Sequence, residues 1–113
     1  NNNKILIIGV AYKKNVDDYR ESPILKIMKL LEKRKYNIDY HDPFIPKLTK
    51  TRKYVLNKKS IILKINNIIK YDCIIIGTDH DKVDYKKLKK YSKLIIDLRG
   101  KFIEDKKEKI FCL

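Results

Sequence analysis

The feature that most constrains the fold is the unbroken apolar run at residues 5–10, which reads ILIIGV. Apolar residues that follow one another, instead of alternating with polar ones, are typical of strands buried on both faces in parallel sheets covered by helices. Further short strands are predicted at 37–41, 73–76 and 94–97, separated by segments with helical spacing. This alternation predicts an α/β class domain with a Rossmann-like, three-layer fold and a mostly parallel sheet.

The connecting segments are less uniform. Ser22 is a good N-cap and Pro23 suits the first helical position, so a helix is predicted from there to about residue 34. A stripe of isoleucines predicts a short helix that ends near Lys70, and Asp84 is predicted to cap a third helix. Two stretches are harder to interpret. Residues 44–59 are predicted as a loop with one helical turn around 47–54, and the tail from residue 101 as either a last edge strand or a frayed end.

The order of these elements predicts where a ligand binds. With right-handed crossovers, the first strand should be central, the second strand on one side and the third on the other. This arrangement creates a topological switch point between strands one and three, and ligands bind there beyond the carboxyl ends of the strands. We therefore expect the loops 11–21, 78–83 and 98–101 to converge.

The charge of the chain is strongly positive, with 28 Lys and Arg against 14 Asp and Glu and a formal net charge of +14. The lysines are spread along the whole chain, and we find no helix-turn-helix, zinc or RNA-binding signature. We therefore expect no specific nucleic-acid partner, although a mild attraction for anionic ligands remains.

Cellular context is predicted from what the sequence lacks. No apolar run approaches the roughly 20 residues that a membrane helix needs, and the first residues show no signal-peptide pattern, so we expect none. Cys73 and Cys112 form no metal-binding pattern and do not indicate an oxidising compartment. We expect a cytoplasmic protein with no membrane partner and no metal. Because the chain enters a core strand almost at once, we also expect it to be a fragment of a longer protein.

The candidate binding residues are cations at the predicted switch point. The first loop has only Gly9, whereas a dinucleotide fingerprint needs three glycines, so we expect no Rossmann-type dinucleotide site. Lys13 supplies a point charge and Arg20 a rigid fork suited to phosphate or carboxylate, and for both we favour a binding role. Arg99 would complete a basic cradle for a diphosphate, but a salt bridge with Asp97 is an equally open alternative.

Other polar residues are interpreted as structural. Lys14 is taken as a surface charge. Asp17 and Asp18 could form an acid/base pair, but we favour a turn or a pairing with Arg20. The run from Thr78 to Asp81 includes His80 and matches no closed zinc set, so we favour a polar turn, with ligand contact as the alternative. His41, beside Asp42, is taken as a strand-end residue. The sequence shows no recognisable set of catalytic residues.

Four segments carry a resemblance to a known family. They read GVAYKKNVDDYRESP, YHDPFIP, DCIIIGTDHDKVDY and LIIDLRG. Over about Lys4 to Lys101 they resemble the C-terminal domain of the UDP-glucose/GDP-mannose dehydrogenase family. They look most like the branch that acts on UDP-N-acetylglucosamine or UDP-N-acetylmannosamine, with UDP-glucose 6-dehydrogenase as the near alternative.

The resemblance implies a function for the whole enzyme and a share of it for this chain. Such enzymes oxidise the C6 alcohol of the sugar to a carboxylate in two hydride transfers to NAD, for surface polysaccharide biosynthesis. An N-terminal domain holds NAD, a linking region supplies the catalytic cysteine and much of a dimer contact, and the C-terminal domain binds UDP. The resemblance assigns Tyr12, Lys13 and Arg99 to the UDP-sugar and Arg20 to NAD.

Some positions depart from the family pattern. Neither cysteine stands in the nucleophile context, so the chain alone should be inactive, with the rest of the dehydrogenase chain as its partner and a homodimer or larger assembly at full length. Lys35 stands where many relatives have glycine, and Leu98 where they often have threonine. Two other hypotheses stay open: a stand-alone basic α/β module that binds anions, and a remnant whose ligand site is lost.

Overall fold

A computed structural model describes residues 3–105 and 107–113 of the 113-residue chain. The main sheet is entirely parallel and has the strand order β2-β1-β5-β6-β7, and a two-stranded antiparallel sheet joins β3 and β4. The strands are β1 (Lys4–Ile8), β2 (Asn37–His41), β3 (Lys47–Leu48), β4 (Lys58–Lys59), β5 (Cys73–Ile76), β6 (Ile95–Asp97) and β7 (Ile110–Cys112). The helices are α1 (Pro23–Lys33), α2 (Ile65–Ile68) and α3 (Tyr85–Tyr91).

The position of β1 between β2 and β5, with a core on each face of the sheet, explains why its sequence is apolar from Ile5 to Ile8. Ile5 and Ile7 belong to the core beneath α1, whereas Leu6 and Ile8 belong to the core beneath α2 and α3. Each side chain from Ile5 to Ile8 is therefore buried, whichever face of the sheet it points to. The predicted α/β class, the parallel sheet and the position of the first strand between the second and third predicted strands, now β2 and β5, are confirmed.

Helix α1 starts and stops as its sequence predicts. The Ser22 hydroxyl accepts a hydrogen bond from the Ile24 amide at 3.2 Å, and Pro23 takes the first position. At the other end Lys35 has a φ of 71°. This is the left-handed conformation that helix-terminating glycines adopt without strain, so lysine pays a conformational penalty there.

Three irregular segments differ from the expectations or decide between them. The helical turn expected around 47–54 is absent: residues 47–48 form β3, the chain bends at 52–53, and it returns to pair as β4. Leu48 and Leu56 thereby reach the core beneath α1. The helix expected over the isoleucine stripe is shorter than predicted, because the Ile61 amide donates to the Tyr40 carbonyl at 2.8 Å and keeps residues 61–64 extended. The tail forms the edge strand β7.

Candidate functional site

A cleft of about 460 Å³ opens at the carboxyl edge of the sheet, between the start of α1 and the loops that follow β1, β5 and β6. It contains two cationic side chains and no carboxylate. Tyr12, Lys13 and Arg99, which the family resemblance assigned to one ligand, all line it. The full lining is Ala11, Tyr12, Lys13, Pro23, Ile24, Ile27, Gly77, Leu98 and Arg99.

Two glycines let the ends of β1 and β5 approach each other beneath this cleft. Gly9 has a φ of +82°, and a Cβ placed on it would lie 2.1 Å from the carbonyl oxygen of Thr78. A Cβ on Gly77 would lie 2.6 Å from the Gly9 carbonyl oxygen and 3.0 Å from the Ile24 Cδ1. Contacts this short to backbone atoms are incompatible with any side chain, so glycine is required at both strand ends.

Arg99 is held by its backbone and by one edge of its guanidinium. Its Nε donates to the Gly77 carbonyl at 3.0 Å, and its amide donates to Oδ1 of the buried Asp97 at 3.0 Å. Asp97 uses its other oxygen to accept from the Phe102 amide at 2.7 Å. The alternative of a side-chain salt bridge with Asp97 is therefore wrong, and the two terminal amino groups of Arg99 remain for an anion.

The segment that carries Tyr12 and Lys13 is anchored to the neighbouring loop. The Ala11 carbonyl accepts hydrogen bonds from the Thr78 hydroxyl at 2.8 Å and from the Ser22 hydroxyl at 3.2 Å. Tyr12 is 55% exposed. In the part of the chain that the structure describes, neither Lys13 nor Arg99 has a carboxylate within ion-pair distance. Both cations are therefore available to a ligand.

Arg20 lies apart from this cleft, so the expectation that three cations share one crevice is wrong. Its guanidinium forms a two-point pair with Asp18, at 3.1 Å from Nε to Oδ1 and 3.3 Å from the terminal nitrogen to Oδ2. The hydrogen bond from the Arg20 side chain is the main reason why the pKa of the Asp18 carboxyl lies below its ordinary value. Arg20 lines a second cleft of about 520 Å³ together with Lys50 and Arg52.

The turn from Thr78 to Asp81 carries His80, which forms a buried pair with Asp42 that the sequence did not reveal. His80 and Asp42 are both almost completely buried, and His80 Nε2 lies 2.9 Å from Asp42 Oδ2. The Asn15 amide donates to the other ring nitrogen at 2.7 Å. The sequence offered one indication of this pair: both residues follow strands that flank β1, so they could be expected at the same edge of the sheet. Among residues 3–105 and 107–113, no group of three ligating side chains could hold a metal.

The remaining polar predictions are structural in the fold. Lys14 is a partly exposed surface charge that pairs with Asp81 at 3.2 Å. His41 ends β2, where its Nδ1 lies 2.8 Å from the Ile61 carbonyl oxygen. In the described part of the chain, no helix has the length and apolar character needed to cross a membrane.

Together, the parallel sheet and the cationic cleft at its carboxyl edge define a Rossmann-like α/β domain suited to an anionic ligand. Residues 6–108 match the family model described as "UDP-glucose/GDP-mannose dehydrogenase family, UDP binding domain". The chain belongs to this family, which confirms the resemblance drawn from its motifs.

Two individual relatives carry the same name. The chain is 29% identical over 104 residues to a UDP-N-acetyl-D-mannosamine dehydrogenase of Methanococcus vannielii, and covers 22% of that protein. It is 30% identical over 104 residues to the protein of the same name from Methanococcus maripaludis strain S2, again covering 22%. Both alignments cover 92% of the chain, which thus spans about a fifth of the length of these relatives.

Solved structures support the fold. The UDP-D-ManNAc dehydrogenase from Pyrococcus horikoshii superposes with a TM-score of 0.70 at 24% identity, covering 98% of this chain and 25% of that one. The native UDP-N-acetyl-mannosamine dehydrogenase Cap5O from Staphylococcus aureus superposes with a TM-score of 0.64 at 22% identity, covering 99% and 26%.

Proposed function

We propose that residues 1–113 form the UDP-binding C-terminal domain of an NAD-dependent 6-dehydrogenase, which oxidises a UDP-N-acetylhexosamine to its uronate. The names of the two Methanococcus relatives favour UDP-N-acetylmannosamine as the substrate. The observation that carries the proposal is the meeting of Tyr12, Lys13 and Arg99 in one cleft that lacks carboxylates. The complete enzyme would work in the cytoplasm, as a homodimer or larger assembly, in surface polysaccharide biosynthesis.

The cleft offers complementary groups for a nucleoside diphosphate. Lys13 brings a mobile point charge, and Arg99 presents the two terminal amino groups of a fixed planar fork. Charge-assisted hydrogen bonds of this kind are the strong contacts to phosphate oxygens. The half-exposed ring of Tyr12 and the apolar lining from Ile24 and Ile27 give the less polar parts of the ligand a surface to contact.

The fit of NAD to this chain is limited to one surface. The turn after β1 is filled by Thr78, which lies against Gly9, so a pyrophosphate cannot enter there in the Rossmann manner. Arg20 lines the second cleft with Lys50 and Arg52, but Asp18 and Glu21 line it too. Its two-point pair with Asp18 would have to open before Arg20 could bind an anionic part of a cofactor held mainly by another domain. Two NAD molecules in turn would each accept one hydride from the sugar C6.

The chain contributes binding rather than a nucleophile. Burial is the main cause that raises the pKa of the Cys73 thiol to about 11, so the reactive thiolate is scarce at neutral pH. The exposed Cys112 thiol also has a raised pKa, through partial desolvation and the Asp97 carboxylate 3.5 Å away. The catalytic cysteine of the complete enzyme is therefore assigned to the part of the protein outside this chain.

Titration of the 113-residue chain with UDP, followed by amide NMR and calorimetry, tests the proposal. Lys13→Ala and Arg99→Ala should each weaken binding by about tenfold or more, because a hydrogen bond to a charged group contributes roughly 1.5–3 kcal/mol. Lys86→Ala is the matched control, since it removes the same charge from α3 on the other face of the sheet.

Two results would contradict the proposal. One is an amide spectrum that does not change on addition of UDP, which would fit a remnant without a ligand site. The other is steeply salt-dependent binding to any nucleic-acid duplex with no preference for uridine nucleotides, which would fit a basic anion-binding module.

A further inference from the structure

The buried pair of His80 and Asp42 lies directly behind the segment that carries Lys13. We call residues 12–15 the Lys13 arm. The arm begins after Ala11, whose carbonyl accepts from the Thr78 hydroxyl at 2.8 Å. It ends at Asn15, whose amide donates to His80 Nδ1 at 2.7 Å. The short turn from Thr78 to Asp81 therefore holds both ends of the arm, and Lys13 lies between the two points of attachment.

The hydrogen bonds determine the tautomer of His80. A backbone amide can only donate, so Nδ1 must be unprotonated to accept from Asn15. The ring proton therefore lies on Nε2, which donates to Asp42 Oδ2 at 2.9 Å. Neutral His80 is an acceptor towards the arm and a donor towards the core, and a protonated ring would have no lone pair for Asn15.

Asp42 is itself fixed by the backbone. Its Oδ2 also accepts from the Val10 amide at 2.9 Å, and its Oδ1 accepts from the Phe44 amide at 2.8 Å. The Phe44 ring packs against His80 with a centroid separation of 4.8 Å. Because the carboxylate cannot turn without breaking these bonds, it orients the imidazole, just as outer-shell carboxylates orient ligating histidines in metal sites.

A second attachment keeps the end of the arm in place. Asn15 has a φ of 62°, a conformation that asparagine tolerates better than most residues. Its side-chain amide donates to Asp81 Oδ2 at 2.8 Å, and its side-chain oxygen accepts from the Asp81 backbone amide at 2.9 Å. The arm is therefore anchored at its end by three hydrogen bonds around one residue.

We infer that His80 is a positioning residue for the diphosphate site, acting through its unprotonated Nδ1 to hold the Asn15 amide and so the backbone from which Lys13 reaches the cleft. This inference rests on the proposed function. An arm that is already ordered loses less conformational entropy when its lysine engages a phosphate, and this is how pre-organisation increases affinity. Asp42 serves the same end by setting the ring orientation.

Two substitutions separate positioning from mere core stability. In His80→Asn the side-chain oxygen is attached to Cγ, as Nδ1 is, so it can still accept from Asn15 while the contact with Asp42 is lost. In His80→Gln the amide nitrogen reaches the depth of Nε2 and can still donate to Asp42, while the acceptor for Asn15 is lost. Both variants remove the buried ring and should lose comparable stability.

We expect His80→Gln to bind UDP about tenfold more weakly than His80→Asn, a difference of roughly 1.4 kcal/mol. Hydrogen exchange of the Asn15 amide should be fast in His80→Gln and slow in His80→Asn and the wild-type chain. Equal affinity of the two variants, with wild-type binding intact, would overturn the inference. A wild-type chain that does not bind UDP would overturn the proposed function instead, and amide exchange would then decide whether His80 holds the arm.

A measurement on the wild-type chain guards against variants that do not fold. The ¹⁵N chemical shifts of the His80 ring at neutral pH should show a protonated Nε2 and an unprotonated Nδ1. A scalar coupling across the hydrogen bond should connect Nδ1 to the backbone amide of Asn15. A ring protonated on Nδ1 would rule out the bond on which the inference depends, whatever the variants do.

Discussion

The substitution Asp97→Asn tests whether a buried carboxylate organises the loop that carries Arg99. Asp97 is completely buried, and its two oxygens accept from the Arg99 amide at 3.0 Å and the Phe102 amide at 2.7 Å. Asparagine has nearly the same shape but only one side-chain acceptor. Whichever way its amide turns, one of the two backbone N–H groups then faces another donor.

The size of the effect follows from these contacts. A hydrogen bond to a charged group contributes about 1.5–3 kcal/mol, and a buried donor without a partner costs about 1–3 kcal/mol. In Asp97→Asn, one of the two hydrogen bonds would have a neutral acceptor and the other would be lost. Together these changes predict a decrease of about 3 kcal/mol in the free energy of unfolding. For a domain of this size, that lowers Tm by roughly 10–20 °C. UDP binding should weaken too, because the same loop carries Arg99.

Urea unfolding followed by circular dichroism measures the first effect, and calorimetric titration with UDP the second. Asp84→Asn is the matched control, since Asp84 caps α3 through a bond from the Lys87 amide at 3.1 Å and asparagine caps helices about as well as aspartate. The control should change stability by less than about 0.5 kcal/mol. If Asp97→Asn costs no more than the control, the account of this loop is wrong.

Three further predictions concern other positions. Gly9→Ala should lower the free energy of unfolding by more than about 4 kcal/mol, because the added Cβ would lie 2.1 Å from the Thr78 carbonyl oxygen. Gly100→Ala should lower it by only about 1–2 kcal/mol, from left-handed strain alone, because the nearest atom to its Cβ is 3.9 Å away. Lys35→Gly should stabilise the chain by about 1 kcal/mol in urea unfolding, and no gain would contradict strain at its φ of 71°. With a pKa raised to about 11, Cys73 should stay protonated at pH 8 and react slowly with iodoacetamide until urea unfolds the chain; rapid labelling of the folded chain, measured by mass spectrometry, would contradict this.

The parts of the fold that the sequence predicted are those determined by local pattern. Strands β2 and β5 occupy the predicted residues, because each is a short apolar or alternating run next to a clear stop signal. The prediction for segment 44–59 was wrong because its structure depends on pairing between the two ends of the segment, in which Lys47 lies opposite Lys59. Lysines opposite lysines carry no local preference for strand, so nothing in this stretch announces the pairing.

In the candidate site, too, some features could be predicted from the sequence and others could not. Sheet topology brings strand ends together, so Lys13 and Arg99 could be placed at one edge from strand order alone. The position of Arg20 could not, because the Tyr12 amide bonds to the Asp18 carbonyl at 2.7 Å, a closure within the loop that the sequence does not indicate. Likewise, the choice between a salt bridge and a free guanidinium for Arg99 depended on which atoms Asp97 uses.

The two buried carboxylates at strand ends explain how the cleft keeps its charge. Asp42 follows β2 and Asp97 ends β6, and each directs its oxygens at backbone amides, Asp42 also accepting from His80. A carboxylate that paired with Lys13 or Arg99 would have to be displaced before a phosphate could bind. Because these acids instead fix the loops and neutralise neither cation, a diphosphate bound as proposed would have no internal ion pair to break before it reached Lys13 and Arg99.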